Sequence, residues 1–196
     1  MVKSTIVYDI SYETPFEHQV NQMLLDHLSH VNHLSWYSVH KDKVKPCLGC
    51  FNCFIRTPGE CIIRKPFENI NKDIASSDTL IYVTPLIYGC YSPAIKSVLD
   101  HSIANLHPFF KVYKGQIHHK MRYSKLPNLI ILAYRSMISP KEKEIFMALT
   151  KANATNYNIN TPKVYFLEKI QDLMPILSKL KNQLLQNSSE STPNIN

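Results

Sequence analysis

The chain has 196 residues, 44% hydrophobic and 19% charged, which indicates one globular domain with its own core and not a small scaffold stapled by disulfides. No apolar run approaches the roughly 20 residues that span a bilayer, and no charged-then-apolar signal region opens the sequence, so we expect a cytoplasmic protein without a membrane partner. The formal net charge of +7 favours anionic partners such as nucleotides, but the basic residues are too dispersed to favour nucleic acid.

Strand-like and helix-like segments alternate along the chain. Short β-branched or alternating runs predict five strands, at residues 4–10, 34–39, 79–83, 128–133 and 163–167. Apolar residues at helical spacing predict helices at 16–30, 67–75, 140–153 and 173–185, and one more through Ile95 and Ile103. Residues 106–126 show no regular pattern.

This alternation predicts an α/β fold. We expect a doubly wound, five-stranded parallel sheet in the order 2-1-3-4-5, with helices on both faces. The domain should cover residues 1–186 and include a cysteine loop at 46–62. The polar segment 187–196 is predicted to be a disordered tail.

Four of the five cysteines lie within residues 47–61, and only Cys90 lies elsewhere. The four are Cys47, Cys50, Cys53 and Cys61, with the spacing C-x2-C-x2-C-x7-C. Thiolates are soft ligands, and four of them match the ligand count of an iron–sulfur cluster. Structural zinc also accepts four cysteines, but usually as two pairs separated by a longer stretch. A loop of reduced, unliganded cysteines is the other alternative.

The loop after the third predicted strand, residues 84–92, suits a flat heteroaromatic ligand. Ligands of doubly wound sheets bind beyond the carboxyl ends of the strands, where the strand order reverses. Pro85 fixes the backbone of this loop, and Gly89 permits close approach of a ligand. Tyr88 and Tyr91 offer aromatic contacts.

The loop after the first strand is predicted to bind an anion. Ser11 and Thr14 supply hydroxyls, and a helix that begins near Phe16 supplies backbone amides at its positive end. Taken alone, each loop has the composition of an ordinary turn. Their placement at neighbouring strand ends favours one shared ligand site.

Three segments of the chain resemble the NADPH-dependent FMN reductase family: residues 46–61 (PCLGCFNCFIRTPGEC), Ser77-Asp78, and residues 84–96 (TPLIYGCYSPAIK). Within that family, the likeness is to the iron–sulfur flavoproteins. It is close from about Pro46 to Asp100 and only topological elsewhere. The resemblance implies a flavodoxin-like fold, FMN in the crevice, NAD(P)H as electron donor, and usually a homodimer or homotetramer.

The resemblance also assigns residues to the cofactors. It implies that the flavin ring is surrounded by Thr84, Pro85, Leu86, Ile87, Tyr88, Gly89 and Tyr91. With the first-loop residues Ser11, Thr14 and Phe16, these make up the predicted FMN site. The four clustered cysteines would hold a [4Fe–4S] cluster close to the flavin. No side chain need act as a general acid or base, because the flavin performs the redox chemistry, so the sequence assigns no catalytic residue.

The chain departs from the family pattern in its first loop. The family's phosphate loop usually reads Gly-Ser-x-Arg followed by Ser or Thr, whereas this chain has Asp9-Ile10-Ser11-Tyr12-Glu13-Thr14. Asp9 and Glu13 place negative charge where a phosphate would bind, and no arginine offsets it. Arg64-Lys65-Pro66 also replaces the paired aspartates that often follow the last cysteine.

Two functions are consistent with these features. The first is a flavin-dependent oxidoreductase that takes electrons from a nicotinamide nucleotide and passes them, through FMN and in one version a [4Fe–4S] cluster, to a small-molecule or protein acceptor. The alternative is a non-enzymatic flavodoxin-like module for redox sensing or partner binding, which the unusual first loop favours. A basic patch at His118, His119 and Arg122 would recognise a nucleotide phosphate or an acidic partner, or is a solvated surface loop.

Overall fold

The structure, a computed structural model, describes residues 3–124, 127–159 and 161–189 of the chain. The strands are β1 (Ser4–Asp9), β2 (Leu34–Val39), β3 (Thr79–Pro85), β4 (Leu106–Tyr113), β5 (Gln116–Met121), β6 (Asn128–Tyr134) and β7 (Lys163–Leu167). The helices are α1 (Pro15–Leu28), α2 (Asn52–Ile55), α3 (Phe67–Ser76), α4 (Pro93–His101), α5 (Pro140–Asn156) and α6 (Leu173–Ser189). Short 3-10 turns follow α4 at Ser102–Asn105 and precede α6 at Ile170–Asp172.

Five strands form a parallel sheet in the order β2-β1-β3-β6-β7. The central strand, β3, is buried along its whole length, as expected for a strand covered on both faces. Helices α1 and α6 pack on one face, around Ile81 and Ile130. Helices α3, α4 and α5 cover the other face, around Tyr82 and Ile131. The predicted α/β architecture is confirmed, and it is consistent with a flavodoxin-like fold.

The predicted order 2-1-3-4-5 is not matched, because two strands were missed. β4 and β5 lie in the stretch 106–126 that showed no regular pattern, and they pair antiparallel as a separate hairpin. Few of their side chains are buried, so no alternation of apolar and polar residues marks them as strands. The strands predicted as fourth and fifth are therefore β6 and β7, and they occupy the last two places in the sheet.

Element ends differ modestly from the predictions. Helix α6 continues to Ser189 and so takes in the first residues of the segment predicted to be a tail. Residues 190–196 lie outside the described part of the chain. The short helix α2 lies inside the cysteine loop, where none was predicted. Within the described residues, every helix is too short or too polar to cross a membrane.

Phe146 on α5 tests the packing of this helix on the sheet. The side chain is fully buried, and its ring lies 4.9 Å from that of Tyr91 and 6.0 Å from that of Phe166. Phe146→Ala should lower the free energy of unfolding by about 3–5 kcal/mol, because it removes buried contacts and leaves a cavity. The control Met147→Ala, at a 42% exposed neighbour, should cost less than about 1 kcal/mol. Urea unfolding measures both, and equal losses would contradict the packing of α5.

Candidate functional site

The predicted ligand loops meet at the carboxyl edge of the sheet. β1 pairs with β3 and β3 with β6, all parallel, so the three strands end side by side. The first loop (residues 10–14) follows β1, the β3 turn (residues 87–90) follows β3, and the third loop (residues 135–139) follows β6. Tyr134 connects them, because its carbonyl accepts from the Leu86 amide and its hydroxyl donates to Glu17 on α1.

The β3 turn is a tight two-residue hairpin turn. Ile87 and Cys90 exchange two backbone hydrogen bonds, of 3.0 and 2.9 Å. Tyr88 and Gly89 both have positive φ angles, 49° and 72°, as a type I′ turn requires. The Tyr88 side chain is 90% exposed. Within the described residues, the amides of Tyr88 and Gly89 donate no hydrogen bond. The turn therefore presents an aromatic ring and unpaired backbone donors.

The other residues predicted to surround a flavin ring lie deeper in the protein. Thr84, Pro85 and Leu86 are buried at the end of β3 and just beyond it. Tyr91 is buried as well, and its ring packs edge-on against Phe146. These side chains support the turn from the core, whereas Ile87 is half-buried, Tyr88 is exposed and Gly89 is buried against α5.

Gly89 is needed for a reason that the sequence did not reveal. A Cβ atom there would lie 3.2 Å from the Ile145 Cγ2 atom of α5 and 3.4 Å from the Glu142 carbonyl oxygen. From its place in the loop, this glycine is predicted to make room for a ligand. The structure shows that it makes room for helix α5.

A buried carboxylate fills the first loop. Glu17, 2% exposed, accepts hydrogen bonds through Oε2 from the amides of Tyr12 at 2.8 Å and Glu13 at 2.6 Å. Its Oε1 accepts from the Tyr134 hydroxyl at 3.1 Å. Thr14 Oγ1 accepts from the Glu17 amide at 3.1 Å and so caps α1. Two amides of the first loop and the Glu17 amide of the helix start, where an anionic ligand was predicted, are therefore bound by side chains of the protein itself.

Ser11 is engaged in the same way. Its amide donates to Asp9 Oδ1 at 2.7 Å, and its hydroxyl also donates to that oxygen. The hydroxyl in turn accepts from the Lys41 amide at 2.8 Å. Asp9 is fully buried, and its Oδ2 has no hydrogen-bond partner among the described residues. Phe16, the third residue predicted here, is half-buried, with its ring 6.1 Å from that of Tyr134.

Two buried carboxylates give this corner a negative potential. Burial raises the pKa of the Tyr12 phenol, and the charges of Asp9 and Glu17 raise it further. Burial and the same two carboxylates also raise the pKa of Tyr134. Both phenols therefore stay protonated at neutral pH, and Tyr134 remains a donor to Glu17.

The role of Glu17 in the first loop was not predicted, although the sequence contains a capping-box motif that indicates it. Thr14-Pro15-Phe16-Glu17 has the T-x-x-E spacing of a capping box, in which a glutamate in the first turn of a helix binds backbone amides. The negative charge of this loop was instead assigned to Asp9 and Glu13. Asp9 is buried as that assignment requires, but the Glu13 side chain is exposed.

The four clustered cysteines line one cavity of about 90 Å³ beside the last turn of α4. Cys53 is buried in α2, Cys47 and Cys61 are half-buried, and Cys50 is exposed. In the part of the chain that the structure describes, no group of three or more His, Cys, Asp or Glu side chains is placed to hold a metal ion. The cysteines therefore face a common space without converging on one point.

His101 forms a wall of this cysteine cavity. Its Nε2 donates to the Lys45 carbonyl at 2.9 Å, so Nδ1 can accept from the Cys61 thiol 3.3 Å away. Phe67 stacks on the imidazole with ring centroids 3.5 Å apart. Burial lowers the pKa of His101 and raises the pKa of Cys61 and Cys53. A neutral imidazole therefore lies beside the protonated thiols of Cys53 and Cys61 in the wall of this cavity.

The cysteine cavity and the β3 turn lie at opposite ends of α4. Ser92, just after the turn, caps the start of this helix, and His101 is its last residue. Nine helical residues at 1.5 Å each span about 13 Å. The family resemblance implied a cluster close to the flavin, but within one chain the two sites are a helix length apart.

The basic patch lies on the β4–β5 hairpin. The Arg122 guanidinium donates to the carbonyls of Ala104 and Leu106, which holds the hairpin to the end of α4. His119 donates to the His107 carbonyl at 2.8 Å. Since the strongest base of the patch is used within the fold, the structure gives no support to its role in binding a nucleotide phosphate.

Gly49 provides a matched control for Gly89. Both have positive φ angles, but a Cβ at Gly49 would meet no atom within 4 Å. Gly49→Ala should cost about 1 kcal/mol for backbone strain alone, and Gly89→Ala should cost about 1–3 kcal/mol more, because Ile145 must shift. Thermal and urea unfolding compare the two. Equal costs would show that α5 does not pack against the β3 turn.

Comparisons with known proteins agree with the fold. The sequence profile of the NADPH-dependent FMN reductase family matches residues 16–120, more than half of the chain. A comparison with curated proteins finds no match.

Several solved structures share the architecture at low sequence identity, so they show the fold alone. Smu.1420 from Streptococcus mutans is 14% identical, with 93% of this chain and 98% of that chain covered and a TM-score of 0.63. An NAD(P)H:quinone oxidoreductase from Methanothermobacter marburgensis is 9% identical, covering 93% and 96%, with a TM-score of 0.60. An FMN-dependent NADH-azoreductase from Bacillus anthracis, in complex with FMN, is 11% identical, covering 94% and 99%, with a TM-score of 0.57.

The family match includes helix α1, the cysteine loop, the β3 turn and the hairpin up to Lys120. It makes FMN and NADPH the nucleotides of the family's reaction. The chain belongs to the NADPH-dependent FMN reductase family, which confirms the prediction of an NAD(P)H-dependent flavin oxidoreductase.

Proposed function

We propose that the β3 turn holds the isoalloxazine ring of a flavin, which passes electrons from NAD(P)H to a small-molecule or protein acceptor. The observation that carries this proposal is the turn itself. It places the exposed Tyr88 ring and unpaired amides of Tyr88 and Gly89 at the carboxyl edge of the sheet, beside the reversal of strand order. A planar ring with carbonyl groups along one edge fits a surface that offers an aromatic contact and backbone donors.

The protein's own residues bind and orient the ring in this scheme. The type I′ turn is fixed by its two Ile87–Cys90 hydrogen bonds and by the packing of Gly89 on α5, so its donors are preorganised. Tyr88 would cover one side of the ring. A bound flavin supplies the redox chemistry, by accepting a hydride from the nicotinamide and releasing electrons to the acceptor.

We extend the proposal to a [4Fe–4S] cluster held by the four cysteines. A single zinc ion binds sulfur at 2.3 Å in a tetrahedron, which would bring the sulfur atoms within about 3.8 Å of each other. A cluster distributes its four thiolates over separate iron atoms, so it suits cysteines that surround a cavity. Its chemistry would be one-electron transfer. In a single chain the cluster would lie at the far end of α4 from the flavin, about 13 Å along the helix.

The assembly is proposed on the family resemblance, the location on the sequence, and the acceptor also on the similar structures. The quinone oxidoreductase and azoreductase names of the similar structures favour a small planar acceptor. We propose a homodimer or homotetramer in the cytoplasm. A nucleotide-free redox-sensing or partner-binding module is the second candidate, and the carboxylate that fills the first loop favours it.

Tyr88→Ala tests the ring site. The variant should bind flavin on the order of tenfold more weakly, because it loses one aromatic contact, and its unfolding temperature should hardly change at so exposed a position. Tyr123→Ala, at another exposed tyrosine, is the control and should bind flavin like the natural chain. Quenching of riboflavin and FMN fluorescence measures the affinities. If no flavin binds to the natural chain, the module is the better account.

Cys53→Ser tests the cluster. After anaerobic reconstitution, the natural chain should hold iron and sulfide near four each per chain, and Cys53→Ser should lose most of both. Cys90→Ser is the matched control, since Cys90 lies in the β3 turn and lines no part of the cysteine cavity. Iron content and the visible spectrum report the result. Reconstituted protein without sulfide-bound iron would leave the cysteines as a structural or redox loop.

A further inference from the structure

We propose that the flavin site of this chain selects riboflavin, whose side chain ends in a hydroxyl, over FMN, because Glu17 occupies the place of the phosphate. This inference rests on the proposed flavin site at the β3 turn and specifies which flavin that site takes. It departs from the ligand implied by the family, and it is carried by the contacts of the first loop.

Most of the donors that a phosphate would need in the first loop are already used, and only the amides of Thr14 and Phe16 donate no hydrogen bond to a described residue. The amides of Tyr12 and Glu13 both bind Glu17 Oε2. The amide and hydroxyl of Ser11 bind Asp9, and the amide of Glu17 binds Thr14 Oγ1. A phosphate group could take these donors only by displacing a buried carboxylate, which would then lose its hydrogen bonds.

The charge of the first loop opposes a phosphate as well. Asp9 and Glu17 are both buried, and neither forms an ion pair with any described residue. The Lys41 ammonium lies over the Tyr12 ring, 5.0 Å from its centre. Arg135, in the third loop, is paired with a glutamate of α5 at 2.6 Å. A phosphate dianion would therefore join two buried negative charges, and among the described residues the cation beside the loop is the Lys41 ammonium, which lies over a tyrosine ring and contacts neither carboxylate.

A hydroxyl suits the same surroundings. Asp9 Oδ2 is buried and lacks a hydrogen-bond partner among the described residues. A ligand hydroxyl that enters the loop could donate a hydrogen bond to this buried oxygen, whereas a phosphate dianion has no hydrogen to donate. Carboxylates that accept hydrogen bonds thus favour the terminal hydroxyl of riboflavin and disfavour its phosphate ester.

Glu17 does more than cap its own helix. In a capping box, the glutamate at the third helical position reaches the backbone amide of the capping residue. Here the capping residue is Thr14, but the Glu17 carboxylate binds the amides of Glu13 and Tyr12, one and two residues earlier in the chain. It also accepts from Tyr134 on β6. The carboxylate therefore lies inside the first loop.

Titration of the full-length chain with riboflavin and with FMN, followed by fluorescence quenching, tests the proposal. The natural chain should bind riboflavin on the order of tenfold or more tightly than FMN. Glu17→Gln removes the charge and keeps an acceptor, so it should narrow this ratio. Glu17→Ala also frees the two amides and should narrow it further. Glu13→Gln is the control, because it removes an exposed charge of the same loop, and should change the ratio least.

The ratio of the riboflavin and FMN affinities of the natural chain tests the proposed selectivity even if the Glu17 variants fold poorly. Equal or tighter binding of FMN there would overturn the inference and leave the proposed flavin site intact. A preference for riboflavin that persists in folded Glu17→Ala would overturn the role of Glu17. If neither flavin binds to any variant, the proposed function fails and this inference fails with it.

Discussion

The carboxylate of Glu17 holds together the corner where the sheet would meet its ligand. It accepts from two amides of the first loop and from the hydroxyl of Tyr134, so one side chain joins the first loop, α1 and β6. A buried carboxylate is costly unless its oxygens accept hydrogen bonds, and here three donors satisfy it. The same contacts that stabilise the corner also close the anion site that a helix N-terminus would otherwise offer. Stability and ligand choice are therefore linked at this residue.

Helix α4 organises the rest of the site. Its start is capped by Ser92 directly after the β3 turn, and its end places His101 against Cys61. The Asn71 side chain donates to the His101 carbonyl at 3.1 Å, which fixes α3 beside this end of the helix. The turn and the cysteine cavity are thus held at a set separation by a buried helix. Electron transfer between a flavin at the turn and a cluster in the cysteine cavity of one chain would therefore cross about the length of this helix.

Some parts of this arrangement follow from the sequence and others do not. β3 is predicted well, because a run of apolar residues bounded by turn residues has few other interpretations. β4 and β5 are not predicted, because few of their side chains are buried and their sequences therefore lack the alternation of apolar and polar residues on which strand prediction depends. Tyr91 was predicted to contact the flavin, but it packs in the core, because composition cannot show which way a loop side chain points. The hydrogen bonds of Glu17 are only partly predictable. The T-x-x-E spacing suggests that this glutamate binds backbone amides, but only the fold shows which amides it reaches.

Amide NMR of the full-length chain during flavin titration tests the central claim most directly, because it reports on the first loop and the β3 turn separately. The account predicts that riboflavin moves the amide resonances of Tyr88 and Gly89, and that FMN at the concentrations that saturate riboflavin binding leaves those of Tyr12 and Glu13 unmoved. Large shifts of Tyr12 and Glu13 upon addition of FMN would show that the phosphate displaces Glu17, and would contradict the account.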